Sequence, residues 1–310
     1  MVQKLVEDFT EGHQARPATA SPGISFSSTP RPSVLAKPTA SRAILVGVHT
    51  YSHLDNLPAT RNNLRGLRDI LTNSLFCGLP QKNCVILDNP SDDAEIISVL
   101  ADLAQEATDT LIFYFAGHGF LHERRAELHL AVSTTEKFKL WTSLDFAWIR
   151  DQIAESRAPR RVIILDCCYS GAAIESMSSG DDIAGHAAAE GTYTITASSA
   201  HHKAVSVPGA DYTAFTGQLL DAVINGVDRE SDILDLNDLF GEIRARLRER
   251  GYPQPQRAVR NEGERIPLFR NVSALRKEWD SLHGEALRAD DDEALAALRE
   301  RLAHGQREES

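Results

Sequence analysis

Leu111-Ile112-Phe113-Tyr114-Phe115-Ala116-Gly117-His118-Gly119 and Val162-Ile163-Ile164-Leu165-Asp166-Cys167-Cys168-Tyr169-Ser170-Gly171 are the two stretches on which the fold turns. Each is a continuous apolar run leading to glycine, with a chemically reactive residue at its end. A run that is apolar at every position belongs to a strand covered on both faces, as in parallel sheets. The glycines predict a tight turn after each run. Ligands of open α/β sheets bind outside the carboxyl ends of the strands. His118 and Cys168 therefore stand where an imidazole and a thiol can converge as a pair.

Working outward, strand and helix patterns alternate. Strands are expected at Ala43–Val48, Cys84–Asp88, Thr110–Ala116, Arg161–Asp166 and Thr192–Ala197, and Glu127–Val132 reads as an edge strand or hairpin arm. Helices are expected at Pro58–Asn73, from a Ser91 cap to Glu106, and at Trp141–Ala154, Tyr212–Ile224 and Leu236–Arg250. This order predicts an α/β fold: a mostly parallel sheet sandwiched by helices. Residues 1–40 are expected to be a disordered N-terminal tail, because 15–40 are rich in Pro, Ser, Thr and Ala. The sheet domain is expected over 41–270 and a helical C-terminal extension over 271–310. In that extension Leu275, Trp279 and Leu282 share one helical face, as do Leu295, Leu298 and Leu302. Residues 172–190 read as a flexible loop by composition.

The chain of 310 residues carries a net charge of −11, which argues against a general nucleic-acid or anionic-membrane binder. Four cysteines in a chain this long make no disulfide framework, and no Cys/His spacing fits zinc. Residues 1–14 lack the apolar stretch of a signal peptide, and no apolar run is long enough to span a bilayer. A cytoplasmic protein is expected. No GxxxxGK[ST] or GxGxxG occurs, which counts against a nucleotide-binding doubly wound fold.

The pair His118-Gly119 and the pattern Asp166-x-Cys168-x-Ser170-Gly171 resemble the histidine and cysteine motifs of the caspase–metacaspase family of cysteine peptidases. The likeness is closer to bacterial caspase-like and metacaspase proteins than to animal caspases. Its spacing of about fifty residues is a known caspase trait. It covers roughly Arg42 to Arg270, supported by Ala43–Val48 and by Tyr212-Thr213-Ala214-Phe215-Thr216. The resemblance implies a cysteine endopeptidase acting through a thioester. His118 is the implied general acid/base, Cys168 the nucleophile, and the N–H groups of Gly119 and Cys168 the oxyanion donors. Cys167 then occupies a small-residue slot as a buried packing thiol.

By the same resemblance Asp166 lines the first substrate pocket and favours Arg or Lys before the scissile bond. The family carries a second acid near Arg61-Asn62-Asn63, where this chain has Asn63. Residues 172–190 contain no Arg or Lys, so basic-selective self-cleavage there is not expected. No metal or cofactor is expected, although some metacaspases need calcium and Asp88, Asp181 and Asp182 are acids to check for it. The implied partners are a protein or peptide substrate and a regulatory protein, without nucleic acid or membrane. The implied setting is a regulated effector in bacterial stress or defence. The alternative is a catalytically inactive scaffold that keeps the fold.

Overall fold

The computed structural model describes residues 35–122, 127–169, 192–197, 210–259 and 266–283, with side chains at all of these except 168, 169 and 278–283. Its centre is an eight-stranded sheet. The strands are β1 (Arg42–Gly47), β2 (Cys84–Asp88), β3 (Thr110–His122), β4 (Glu127–Leu130), β5 (Leu144–Asp145), β6 (Arg160–Tyr169), β7 (Thr192–Thr196) and β9 (Gln256–Val259). The main path runs β2-β1-β3-β6-β7-β9, with β4 on β3 and β5 on β4. From β2 to β7 every pairing on that path is parallel. The pairings of β4, β5 and β9 are antiparallel. A separate pair joins β8 (Ile233–Asp235) to β10 (Pro267–Arg270).

The helices are α1 (Ala59–Thr72), α2 (Asp93–Glu106), α3 (Phe146–Ala154), α4 (Ala214–Asn225), α5 (Leu236–Glu249) and α6 (Val272–His283). Side chains along a strand alternate between faces, so each apolar strand feeds two cores. Tyr114, Ala116, Val162 and Ile164 pack with Leu64 and Leu67 of α1, Phe215 and Leu219 of α4, and Ile243 of α5. Phe113, Phe115, Ile163 and Leu165 pack on the other face with Ile96 and Leu100 of α2 and Ile149 of α3. A sheet covered on both sides explains why these strands are apolar at every position.

The chain leaves β1 towards β2 on one side and returns to β3 on the other. The carboxyl ends of β1 and β3 therefore flank a topological switch point, where open α/β sheets form their crevice.

Three expectations need correction. β3 does not turn at Gly117 but continues to His122, because its last residues pair with β4 in register from Gly119↔Leu130 to His122↔Glu127. Helix α2 is capped by Asp92, whose side chain accepts the Ala94 N–H, and not by Ser91. Helix α3 begins at Phe146, not Trp141, with Asp145 as its cap. The residues before it are held by local side-chain bonds instead: the Thr135 hydroxyl donates to the Thr142 carbonyl, and the Glu136 N–H donates to the Thr142 hydroxyl. Such bonds compete with helix formation. Three further strands had no expectation: β9 lies at the edge of the main sheet and β8 and β10 form a separate pair, all short and without a clear strand pattern.

Of the expected tail, residues 35–40 are described: the Ala36 N–H donates to the Pro267 carbonyl and Pro38–Ala40 form a 3₁₀ turn. At the other end, Val272 of α6 is buried in the core around α4. The rest of the tail, the loop 172–190 and the segment of Leu295–Leu302 lie outside the described residues. No helix among the described residues is long and apolar enough to cross a membrane.

Gly226 caps α4 at φ 73°, and a Cβ there would lie 2.3 Å from the Ser273 backbone nitrogen at the start of α6. Backbone cannot yield as a side-chain tip does. Gly226→Ala is therefore expected to destabilise the fold by about 2 kcal/mol or more, read as a lowered urea midpoint at unchanged m-value.

Candidate active site

The site grows from one register. β3 and β6 pair Ala116 with Asp166, Gly117 with Cys167, His118 with Cys168 and Gly119 with Tyr169. Paired strands lie about 4.8 Å apart, so His118 and Cys168 are immediate backbone neighbours across the ladder. Gly119 follows directly and also pairs with Leu130 of β4. Cys167 has the opposite parity: it is fully buried in the core on the α2–α3 face. That burial agrees with the packing role expected of it.

The loop after β1 meets His118 from two directions. The Asp55 carbonyl lies 2.8 Å from His118 Nε2. A carbonyl only accepts, so Nε2 carries the hydrogen, and in the neutral ring Nδ1 holds the lone pair. The His118 backbone N–H donates to the Tyr51 hydroxyl at 2.9 Å. The two rings also touch, with centroids 4.8 Å apart and planes inclined by 51°. Neither contact has a sequence signature: one partner is a main-chain carbonyl, the other a tyrosine sixty-seven positions upstream.

Asp166 lies on the opposite face of β6 from Cys167 and is 3 % exposed. Its Oδ2 accepts from the hydroxyls of Thr213 at 2.5 Å and Thr216 at 2.6 Å. It also receives Asn63 Nδ2 at 3.2 Å and the Tyr114 hydroxyl at 3.3 Å. Thr213, the cap of α4, uses its hydroxyl fully. It donates to Asp166 and accepts from Asn63 Nδ2 at 2.8 Å and from the Thr216 N–H at 3.3 Å. The Asn63 amide is oriented without ambiguity, because its Oδ1 accepts the Thr213 N–H. Asn63, at the position where the resembled family has an acid, is thus in direct contact with Asp166.

All these donors reach one oxygen. Asp166 Oδ1 is buried and has no hydrogen-bond partner among the described residues. Such an oxygen costs about 1–3 kcal/mol. Asp166 also lines a small, partly open cleft together with Ala197, Thr213, Ala214, Phe215, Leu247 and Pro253. Burial pushes the Asp166 carboxyl above the ordinary carboxylate range, against the opposing hydrogen bonds from Thr213, Thr216 and Tyr114. A buried acid kept at such a cost beside a cleft is a mark of a functional site.

Asp88, one of the acids considered for calcium, faces nitrogen groups instead: His49 Nε2 at 2.9 Å and Arg61 Nε at 3.4 Å. These compete with a hard cation for its oxygens. Asp181 and Asp182 lie outside the described residues. Among the described residues no group of three or more His, Cys, Asp or Glu is arranged to hold a metal ion.

A family model described as the caspase domain matches residues 40–277. Among solved structures, the crystal structure of caspase-1 from Spodoptera frugiperda aligns at 14% identity with a TM-score of 0.49, covering 78% of this chain and 94% of that one. No curated protein matches the chain.

The raised Asp166 pKa has a definite sign in stability. The folded chain binds this proton more tightly than the unfolded chain, whose carboxyl titrates near 3.8. The group's contribution to stability is therefore fully present below that value and is lost as pH rises through the folded-state value. Asp166→Asn is expected to flatten the dependence of unfolding free energy on pH across this window, measured by urea denaturation at a series of pH values.

Proposed function

The chain belongs to the caspase-domain family, and from that membership we propose that it is a cysteine endopeptidase with Cys168 as nucleophile and His118 as general acid/base. One observation carries the reading: the β3–β6 register makes His118 and Cys168 backbone neighbours at the crevice end of the sheet. The orientation of His118 supports it, because Asp55 holds the Nε2 hydrogen and leaves Nδ1 as the basic nitrogen.

In the proposed reaction Nδ1 takes the thiol proton and the thiolate sulfur attacks the peptide carbonyl carbon. The carbonyl oxygen becomes an oxyanion, for which the N–H groups of Gly119 and Cys168 are the proposed donors. Collapse breaks the C–N bond, and His118 returns its proton to the departing amine. Water, deprotonated by the same imidazole, then attacks the thioester. The carboxylic acid leaves and the thiol is restored.

The proposed selectivity is for Arg or Lys before the scissile bond. It is supported by Asp166 Oδ1, which has no hydrogen-bond partner among the described residues, and by the small cleft the residue lines. A guanidinium or ammonium would give that oxygen the donor it lacks and favour the ionised form. Asn63 leaves this pocket with one acid instead of two, so the attraction is weaker than in a doubly acidic pocket. A cytoplasmic role as a regulated effector in bacterial stress or defence is proposed by analogy with bacterial caspase-like proteins.

Profiling a peptide library tests the proposal. Cleavage after Arg or Lys is expected, lost in both Cys168→Ala and His118→Ala and largely kept in Cys167→Ala. Asp166→Asn should raise KM for basic peptides by about tenfold or more and for neutral ones far less. Activity surviving in Cys168→Ala would reject the nucleophile; a profile dominated by Asp or large apolar residues would reject the pocket.

A further inference from the structure

The loop from Tyr51 to Leu57 is built as a closed clasp around His118. Its ends are tied, because the Leu57 N–H donates to the His49 carbonyl. Its interior is tied as well: the Tyr51 N–H donates to Asn56 Oδ1 at 2.9 Å. Tyr51 is 7 % exposed, so its ring is fixed by packing among the apolar residues on the α2–α3 side of the sheet. From there its hydroxyl accepts the His118 N–H, while Asp55, next to Asn56, presents its carbonyl to Nε2.

The preceding residue is part of the same device. A Cβ at Gly117 would stand 2.8 Å from the Tyr51 hydroxyl and 2.9 Å from the Phe115 ring. Only glycine there lets the phenol reach the backbone of the next residue. Gly117 was read from the sequence as a turn signal, yet β3 runs straight through it. Close approach of Tyr51 accounts for the glycine where a turn does not.

We infer that Tyr51 and Asn56 are positioning residues that hold His118 in one tautomer and one place. This rests on the peptidase reading for its consequence, but not for its geometry. Tyr51 acts on the main chain and ring of His118, whereas Asn56 acts at one remove, by fixing the turn that aims the Asp55 carbonyl. With the clasp loosened, the imidazole can place its hydrogen on either nitrogen. A ring with the hydrogen on Nδ1 cannot accept the thiol proton there.

The test uses the full chain labelled with ¹⁵N-histidine, with imidazole spectra recorded at neutral pH beside steady-state kinetics. His118→Ala identifies the resonance. In the wild type His118 should appear as the Nε2–H tautomer. Tyr51→Phe and Asn56→Leu should each give averaged tautomers, and kcat should fall between about tenfold and about a hundredfold at nearly unchanged KM. Asn56→Asp keeps the acceptor for the Tyr51 N–H and should retain the wild-type spectrum and most of kcat. The inference is overturned if His118 keeps its single tautomer in both Tyr51→Phe and Asn56→Leu, or if both retain wild-type kcat. A wild type that cleaves no peptide would sink the peptidase reading instead, and the spectra would still decide the clasp.

Discussion

The backbone register between β3 and β6 is the constraint on which the site depends. In a parallel pair a slip of one residue reverses the face of every side chain. Here such a slip would bury Asp166 beside Phe113 and Phe115 and bring Cys167 to the face of Tyr114. Both outcomes are costly: one strands a carboxylate in an apolar core, and the other removes Leu165 and Ile163 from theirs. The register is therefore held by the whole length of two apolar strands, and the pairing of His118 with Cys168 is a consequence of that hold. A local pair is thus made rigid by distant packing.

A second consequence is the network around Asp166. Strand parity sends this carboxyl to the face covered by α1 and α4, where Asn63 and the capping Thr213 converge on one oxygen. The same threonine starts α4, so helix initiation and placement of the acid share one hydroxyl. Burial favours the neutral form of such a group; three hydroxyls and an amide oppose that at Oδ2. The network also joins β6 to α1 and α4, segments distant in the chain, which stabilises the crevice as a unit.

Much of this was legible in the sequence. The uninterrupted apolar runs announced a two-sided parallel sheet, and the positions of His118, Asp166, Cys167 and Cys168 along them gave the parity of the site. What was not legible has physical causes. The extension of β3 to His122 depends on pairing with β4, a tertiary partner that outweighs the local glycine signal. The shortened α3 follows from hydroxyl bonds within 135–143 that no periodicity reveals. β9 sits at the sheet edge and β8 and β10 form a small second pair, so none needs an apolar run. The Asp55 carbonyl belongs to the main chain and leaves no trace in residue type, and Tyr51 reads as one aromatic among many until the loop folds back.

The central claim is that Cys168 is a thiol activated by its neighbour His118. Its most direct test is the pH dependence of the rate at which iodoacetamide alkylates Cys168, followed by mass spectrometry in the wild type and in His118→Ala. The other cysteines interfere little: Cys77, Cys84 and Cys167 are buried, and burial pushes the thiols of Cys77 and Cys84 up to about 12. The account predicts rapid alkylation well below the ordinary thiol value of about 8.5, with the profile moving towards that value in His118→Ala. An ordinary thiol profile, identical in the two proteins, would contradict it.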